Sequence, residues 1–346
     1  MPDFAVADLV GMPLEIIPVG DRLVSVDIGD STVFRWYDLA TPSIHYDFGR
    51  RGRGPNEFTR PWSFLGLRGE QIGVVDAANR TFSAVDMNAL AVIHQRTISA
   101  EGLPLYAVDS GPDTHEISVG GIFADARLIR VDSSGAVISK IGELPSPGDG
   151  FRNMQPRHFS GKYAAHPAGS MWAVALERVD IIELWTDSGE LRHVTVGPRF
   201  VDEVSNTSNG YRSIAATSSA IFALLVNPDY NGDSAVGHDL VIIDWDGLPI
   251  NRFSLDGEFF HIAVDTDGLY LYASRHFPYP AIGRIPVQDL LPWGLPRHRY
   301  GYVFPKREDD VPCVLTRAND AYVAPPTNIE ISVSAASFRG GRGVNQ

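Results

Sequence analysis

The sequence predicts an all-β chain folded as a six-bladed β-propeller, with four-stranded antiparallel blades and a ring closed by pairing of the chain ends. Two observations carry this. The first is a hydrophobic period of two almost throughout, in short runs rich in β-branched and aromatic residues: Leu23–Asp27, Ile72–Asp76, Arg127–Val131 and Leu269–Tyr272. The second is a recurring Asp-centred turn, at Asp38, Asp86, Asp132, Asp187 and Asp246, spaced 48, 46, 55 and 59 residues apart, with Asp289 another 43 on. Each interval holds about four strands, and four-stranded units at that spacing are propeller blades.

In chain order the blades read as about 14–49, 62–99, 104–142, 159–197, 211–256 and 259–287. The last lacks an outer strand of its own. Either Phe4–Val10 or Arg299–Phe304 supplies it, because a ring left open would expose a sheet edge and forfeit a blade–blade contact. The propeller thus takes residues 1–305, and 306–346 form a C-terminal extension, partly loose, with a charge run at 306–310 and a Gly/Arg-rich stretch at 338–343. With 33 Gly and 24 Pro and no amphipathic pattern of ten residues, long helices are not expected.

Composition narrows the function classes. The chain has 346 residues, 44% hydrophobic and 21% charged, and a globular protein of this size buries roughly three quarters of its unfolded surface. The formal charge of −13 opposes binding to phosphate backbones, so nucleic acid is not an expected partner. No apolar run reaches the roughly 18 residues of a membrane helix, so no membrane span is expected. The amino terminus has neither the basic nor the apolar region of a signal peptide, so none is expected in this chain. The single cysteine, Cys313, has no partner for an internal disulfide. Only three of the 29 basic residues are lysines (Lys140, Lys162, Lys306), which leaves 26 arginines, planar forks suited to carboxylate or phosphate.

The most distinctive segment is Gly49-Arg50-Arg51-Gly52-Arg53-Gly54-Pro55-Asn56-Glu57-Phe58, in the crossover from blade one to blade two. No Lys-Ser or Lys-Thr follows and no helix starts there, which excludes a P-loop. The Gly-x-Gly-Pro-x-Glu-Phe pattern of Gly52 to Phe58 resembles the bacterial TolB-like six-bladed propeller family. That resemblance spans roughly 14–290 and implies the fold and the crossover's structural role. It also implies export to the periplasm or cell surface, although no lipidation cysteine stands near the start. It supplies no catalytic residue. Gly52, Gly54, Pro55, Glu57 and Phe58 are expected to build the crossover, with Glu57 accepting backbone N–H bonds and Phe58 plugging between blades.

Loops from strand four to the next strand one, and from strand two to strand three, share the face around a propeller's channel. They bring Arg60, Arg157, His158, Tyr211 and Arg212 at the crossovers, and Arg80, Arg178, Arg275 and His276 after second strands. This predicts an arginine-bearing funnel for an anionic small molecule or peptide, in a non-enzymatic binding or scaffold protein expected to be a monomer. The competing reading of these arginines is structural, each paired with an acid such as Glu57, Asp76, Glu177 or Asp180. The competing function is a metal-assisted hydrolase or lyase acting on an anionic sugar or lactone, with Glu57, Asn153 and Asn209 at a cation, or with His158 and Tyr211. No His pair has zinc spacing and no Gly-x-Ser-x-Gly elbow occurs. Asp229, Asn231 and Asp233 have the one-three-five spacing of a calcium loop, but Gly232 and Leu240 break its later positions. An Asx-rich turn is the preferred reading, and no cofactor is expected.

Overall fold

A computed structural model describes residues 13–27, 32–41, 43, 45–67, 69–110, 116–144, 159–198, 209–227, 237–255, 257–277 and 280–291. Six sheets succeed one another along the chain, each a simple up-and-down meander. Blade one is β1 (Pro13–Val19), β2 (Arg22–Asp27), β3 (Thr32–Asp38) and β4 (His45–Arg51), with the short β5 (Glu57–Phe58) added in parallel to β4. Blade two is β6 (Pro61–Gly66), β7 (Gln71–Asp76), β8 (Thr81–Asp86) and β9 (Ala91–Thr97). Blade three is β10 (Leu103–Ser110), β11 (Ile117–Ile122), β12 (Leu128–Val131) and β13 (Val137–Ile141). Blade four is β14 (Gly161–Ala165), β15 (Met171–Leu176), β16 (Ile181–Thr186) and β17 (Leu191–Val196). Blade five is β18 (Tyr211–Ala216), β19 (Ile221–Asn227), β20 (Gly237–Ile243) and β21 (Pro249–Leu255). Blade six has β22 (Glu258–Val264), β23 (Tyr270–Phe277) and β24 (Ala281–Pro286), followed by the one-turn α1 (Val287–Leu290).

This is the six-bladed propeller that the turn spacing predicts. The first strands of the blades stand side by side around the axis, with β1 touching both β6 and β22. The segments weighed for the outer strand of blade six, 4–10 and 299–304, lie outside the described residues, as does the extension from 306. Among the described residues no helix is long and apolar enough to cross a membrane.

Sequence pattern follows depth within a blade. Second strands are sandwiched between neighbouring blades and are apolar on both faces, so β19 reads Ile-Phe-Ala-Leu-Leu-Val and buries every one of those six residues. Outer strands face water on one side and alternate, as in Val-Ile-Ser-Lys-Ile of β13. Each of the six seams has its own apolar cluster. Phe34, Phe58 and Ile72 join blades one and two, and Ile16, Tyr37, Ala263 and Tyr272 join blades one and six. The other four seams are filled in the same way.

The recurrent Asp turns have a mechanism. Asp38, Asp86 and Asp132 each accept N–H bonds from residues two to four further on, which closes the turn without help from another strand. Those bonds hold Asp86 and Asp132 below the usual carboxylate range, through Ala89 and Asn88 in one and chiefly Ser134 in the other. In blades four and five the closing residue is not the one the repeat singles out. Thr186 replaces Asp187, and Asp244 replaces Asp246.

Candidate functional site

The inner strands enclose a cavity of about 330 Å³ on the propeller axis, to which all six contribute. Its polar lining comes from one device. In β1, β6, β10, β18 and β22 the pairing with the second strand slips near the start, so that Leu14, Trp62, Leu105, Arg212 and Phe260 are supernumerary. Such bulges re-aim the residue that follows. The residues that follow are Glu15, Ser63, Tyr106, Ser213 and His261, and all five line the cavity. Blade four has no slip and contributes Lys162 directly.

Several of these groups are spent on the ring itself. The Ser63 hydroxyl accepts from Ala107 N–H at 2.8 Å, and the Ser213 hydroxyl accepts from Ile262 N–H at 3.1 Å, each tying an inner strand to the next. His261 Nδ1 accepts from Ile16 N–H at 3.3 Å across the seam of blades six and one. Its proton therefore sits on Nε2, which meets Glu15 Oε2 at 2.7 Å. Both ring nitrogens are thus occupied.

The densest cluster surrounds Lys162. Its Nζ lies 2.6 Å from the Tyr106 hydroxyl and 3.2 Å from Glu177 Oε1. Tyr106 also accepts from Trp62 Nε1 at 2.9 Å and donates to Glu177 at 3.0 Å, so its hydroxyl is saturated. Ser160 donates to the other Glu177 oxygen at 2.6 Å. Burial opposes the lysine's charge, but Tyr106, Glu177 and Glu15 outweigh it and hold the ammonium above its ordinary range. Burial pushes the Tyr106 phenol up, so it stays neutral. Burial also works against the Glu177 carboxylate, yet Lys162 and its other donors hold it below the ordinary value. Of three ammonium N–H groups, two have partners among the described residues, and Lys162 is one of the residues that line the cavity.

The arginines singled out by their loop positions divide. Arg80, at a positive φ of 55°, reaches into blade three and donates to the carbonyls of Gly102 (2.7 Å) and Ala100. Arg275 is buried in β23 and Arg178 is half-buried in the turn after β15. Arg60 lies over the Trp62 ring at 4.2 Å and Arg212 over the Phe260 ring at 4.9 Å, and neither has an ion pair or a side-chain hydrogen bond among the described residues. Tyr211 is buried and donates to Asp180 at 2.7 Å. His276 stacks on Phe260 at 4.4 Å and its Nε2 meets the Pro13 carbonyl at 2.8 Å. Arg157, His158, Asn153 and the would-be calcium residues Asp229, Asn231 and Asp233 lie outside the described residues.

The acids weighed as arginine partners are engaged elsewhere. Asp76 takes the backbone N–H groups of Thr59, Arg60, Ala78 and Asn79. Glu57 accepts from Gly54 N–H at 2.8 Å and folds over the glycines, where a Cβ on Gly52 would collide with its carboxylate. Gly54 to Glu57 form a turn closed at 3.1 Å, with Pro55 in second place and Asn56 at a φ of 62°, the geometry of a type II turn. Phe58 then drops into the seam, 1% exposed and edge-on to Phe34 at 4.8 Å.

A family model described as TolB-like 6-blade propeller-like matches residues 6–267. The chain belongs to this TolB-like propeller family. No curated protein matches it. Among solved structures it is similar to Kuenenia stuttgartiensis hydrazine synthase, at 17% identity and a TM-score of 0.51, over 77% of this chain and 74% of that one. At that identity the likeness is one of fold. It leaves the TolB-like chain's activity to be argued from its own residues.

Loop position alone missed Lys162, Glu15 and Tyr106. A signal existed: of only three lysines, one falls in an inner strand.

Proposed function

We propose that this TolB-like propeller is a non-enzymatic binding protein that takes a small anionic molecule at its channel, with the anionic end between Lys162 and Arg60. The observation that carries the reading is the third N–H of Lys162, a half-buried cation with a donor to spare among the described residues, beside a cavity of about 330 Å³. Arg60 and Lys162 both lie by the Trp62 ring, Lys162 at 5.9 Å, so two cations flank one aromatic surface. The neighbouring carboxylate of Glu177 already holds Lys162, Tyr106 and Ser160, which leaves donors rather than acceptors to recruit a ligand.

Binding is preferred to catalysis on the same grounds. General acid–base work needs a group poised near neutral pH and free to exchange a proton. Here the ammonium is held charged, the phenol is neutral and saturated, and His261 has both nitrogens engaged.

Calorimetric titration with glucuronate and with an acidic peptide tests the reading, and Trp62 fluorescence is a second readout. Lys162→Met is expected to weaken binding at least tenfold, the worth of a charge-assisted hydrogen bond. Equal affinity in wild type and variant would overturn the proposal. Turnover of a lactone on prolonged incubation would favour the hydrolase reading instead.

A further inference from the structure

A second site is visible at the seam of blades five and six, away from the cavity lining. Arg212 is the bulged residue of β18, and its guanidinium lies over Phe260, the bulged residue of β22. Among the described residues it has no acid partner, and its Nε is buried with no hydrogen-bond partner. Close by, His238 at the start of β20 is fully buried, at 0% exposure. Its Nδ1 accepts from Phe259 N–H at 3.3 Å, so the proton is on Nε2, which is buried and makes no full hydrogen bond, the backbone of Gly257 being the acceptor nearest the ring.

Arg212 meets Phe260 and His238 meets the adjacent Phe259, so two unsatisfied donors reach one stretch of β22, although buried polar groups in folded proteins are almost always paired. The acid next in sequence does not serve them. Asp239 is committed to Arg252, with Nε at 3.0 Å, and to Ser254 and Asn227. Burial, with the Arg212 charge adding to it, lowers His238 to about 4, so the imidazole is neutral at pH 7. The seam therefore offers one positive charge and a neutral donor, which matches a single negative charge.

We propose that Arg212 and the Nε2–H of His238 form a second anion site, on the seam of blades five and six, that takes one carboxylate group. The guanidinium binds the carboxylate edge-on through its fork while Phe260 backs it, and the imidazole donates the remaining bond. This site does not depend on the channel reading.

The test uses acetate as probe. Thermal melts of the full chain are compared in sodium acetate and sodium chloride of equal ionic strength at pH 7, for wild type, Lys162→Met and Lys162→Met with Arg212→Gln. Acetate is expected to raise the melting temperature of wild type and of Lys162→Met, and adding Arg212→Gln to Lys162→Met is expected to remove that rise. Arg212→Lys keeps the charge without the fork, and its acetate affinity is expected to fall about tenfold. Nitrogen-15 spectra of wild type add a readout free of any variant: the His238 Nε2 resonance should shift as acetate is added. A resonance unmoved by saturating acetate, or an acetate effect in Lys162→Met that survives the added Arg212→Gln, would overturn the proposal. Loss of the effect in Lys162→Met alone would assign the anion to the channel and also overturn it.

Discussion

Two seams of this propeller contain the same motif, an arginine over a phenylalanine, and resolve it differently. Between blades three and four, Arg127 lies over Phe159 at 5.1 Å, is completely buried and has an acid partner, while its Nε, like that of Arg212, makes no hydrogen bond. It pairs with Glu183 and donates to the Phe159 carbonyl at 2.7 Å, and Trp185 Nε1 donates to the other Glu183 oxygen at 3.0 Å. Between blades five and six, the half-buried Arg212 has the ring without an acid among the described residues. A cation that has its own counter-ion is a rivet. One without is a vacancy for somebody else's. The difference separates structure from recognition more cleanly than loop position does, because Arg80, in an equivalent loop, turns out to be tied to a neighbouring blade.

The comparison can be broken at several points. Glu183→Leu strands the buried Arg127 charge and should cost about 3–5 kcal/mol in urea unfolding, whereas Arg127→Met with Glu183→Leu should recover most of the loss. If the double variant is as unstable as the single one, Arg127 is not a rivet of this kind.

At the other seam the handle is pH. His238 sits near 4 when folded and near 6.5 when unfolded. Between those values the unfolded chain binds a proton that the folded chain refuses. Its contribution is intact above pH 6.5 and falls away towards pH 4, by up to about 3 kcal/mol. Arg212→Gln removes one of the two causes of that depression, so the loss should still begin near pH 6.5 but level off at a higher pH and be smaller in total. Denaturation midpoints between pH 4 and 8 decide this.

Smaller effects follow. Trp185→Phe removes one donor from Glu183 and should cost roughly 1–2 kcal/mol. Arg212→Gln at neutral pH, with no acid left behind, should change stability by less than about 1 kcal/mol, the scale of its ring contact. A larger loss would mean that Arg212 is structural after all.

The fold was legible because its causes are local. Period-two strands and self-closing Asp turns such as Asp86 and Asp132 are written within a few residues, and they recur at blade spacing. The crossover glycines were legible for the same reason, since Glu57 meets Gly54 three positions away. The channel was not. Tyr106, Lys162 and Glu177 come from different strands of two blades, and their meeting depends on slips in register that leave Leu14 or Leu105 as spare residues. Nor does a sequence reveal which arginine finds a carbonyl or an acid. Arg80 and Arg212 look alike until the neighbouring blade is in place.

One feature of blade one bears on how this protein meets copies of itself. Parallel pairing of Glu57 and Phe58 with Arg50 and Arg51 occupies part of the outer edge of β4. The outer strands of blades two to five have no such cover among the described residues, and those of blades two, three and four carry exposed apolar groups, Ile93, Ile138 and Leu191. Unpaired edges of that kind are templates for strand addition. Should the protein aggregate, growth would begin on the far side of the ring, while the blade next to the glycine crossover stays out of it.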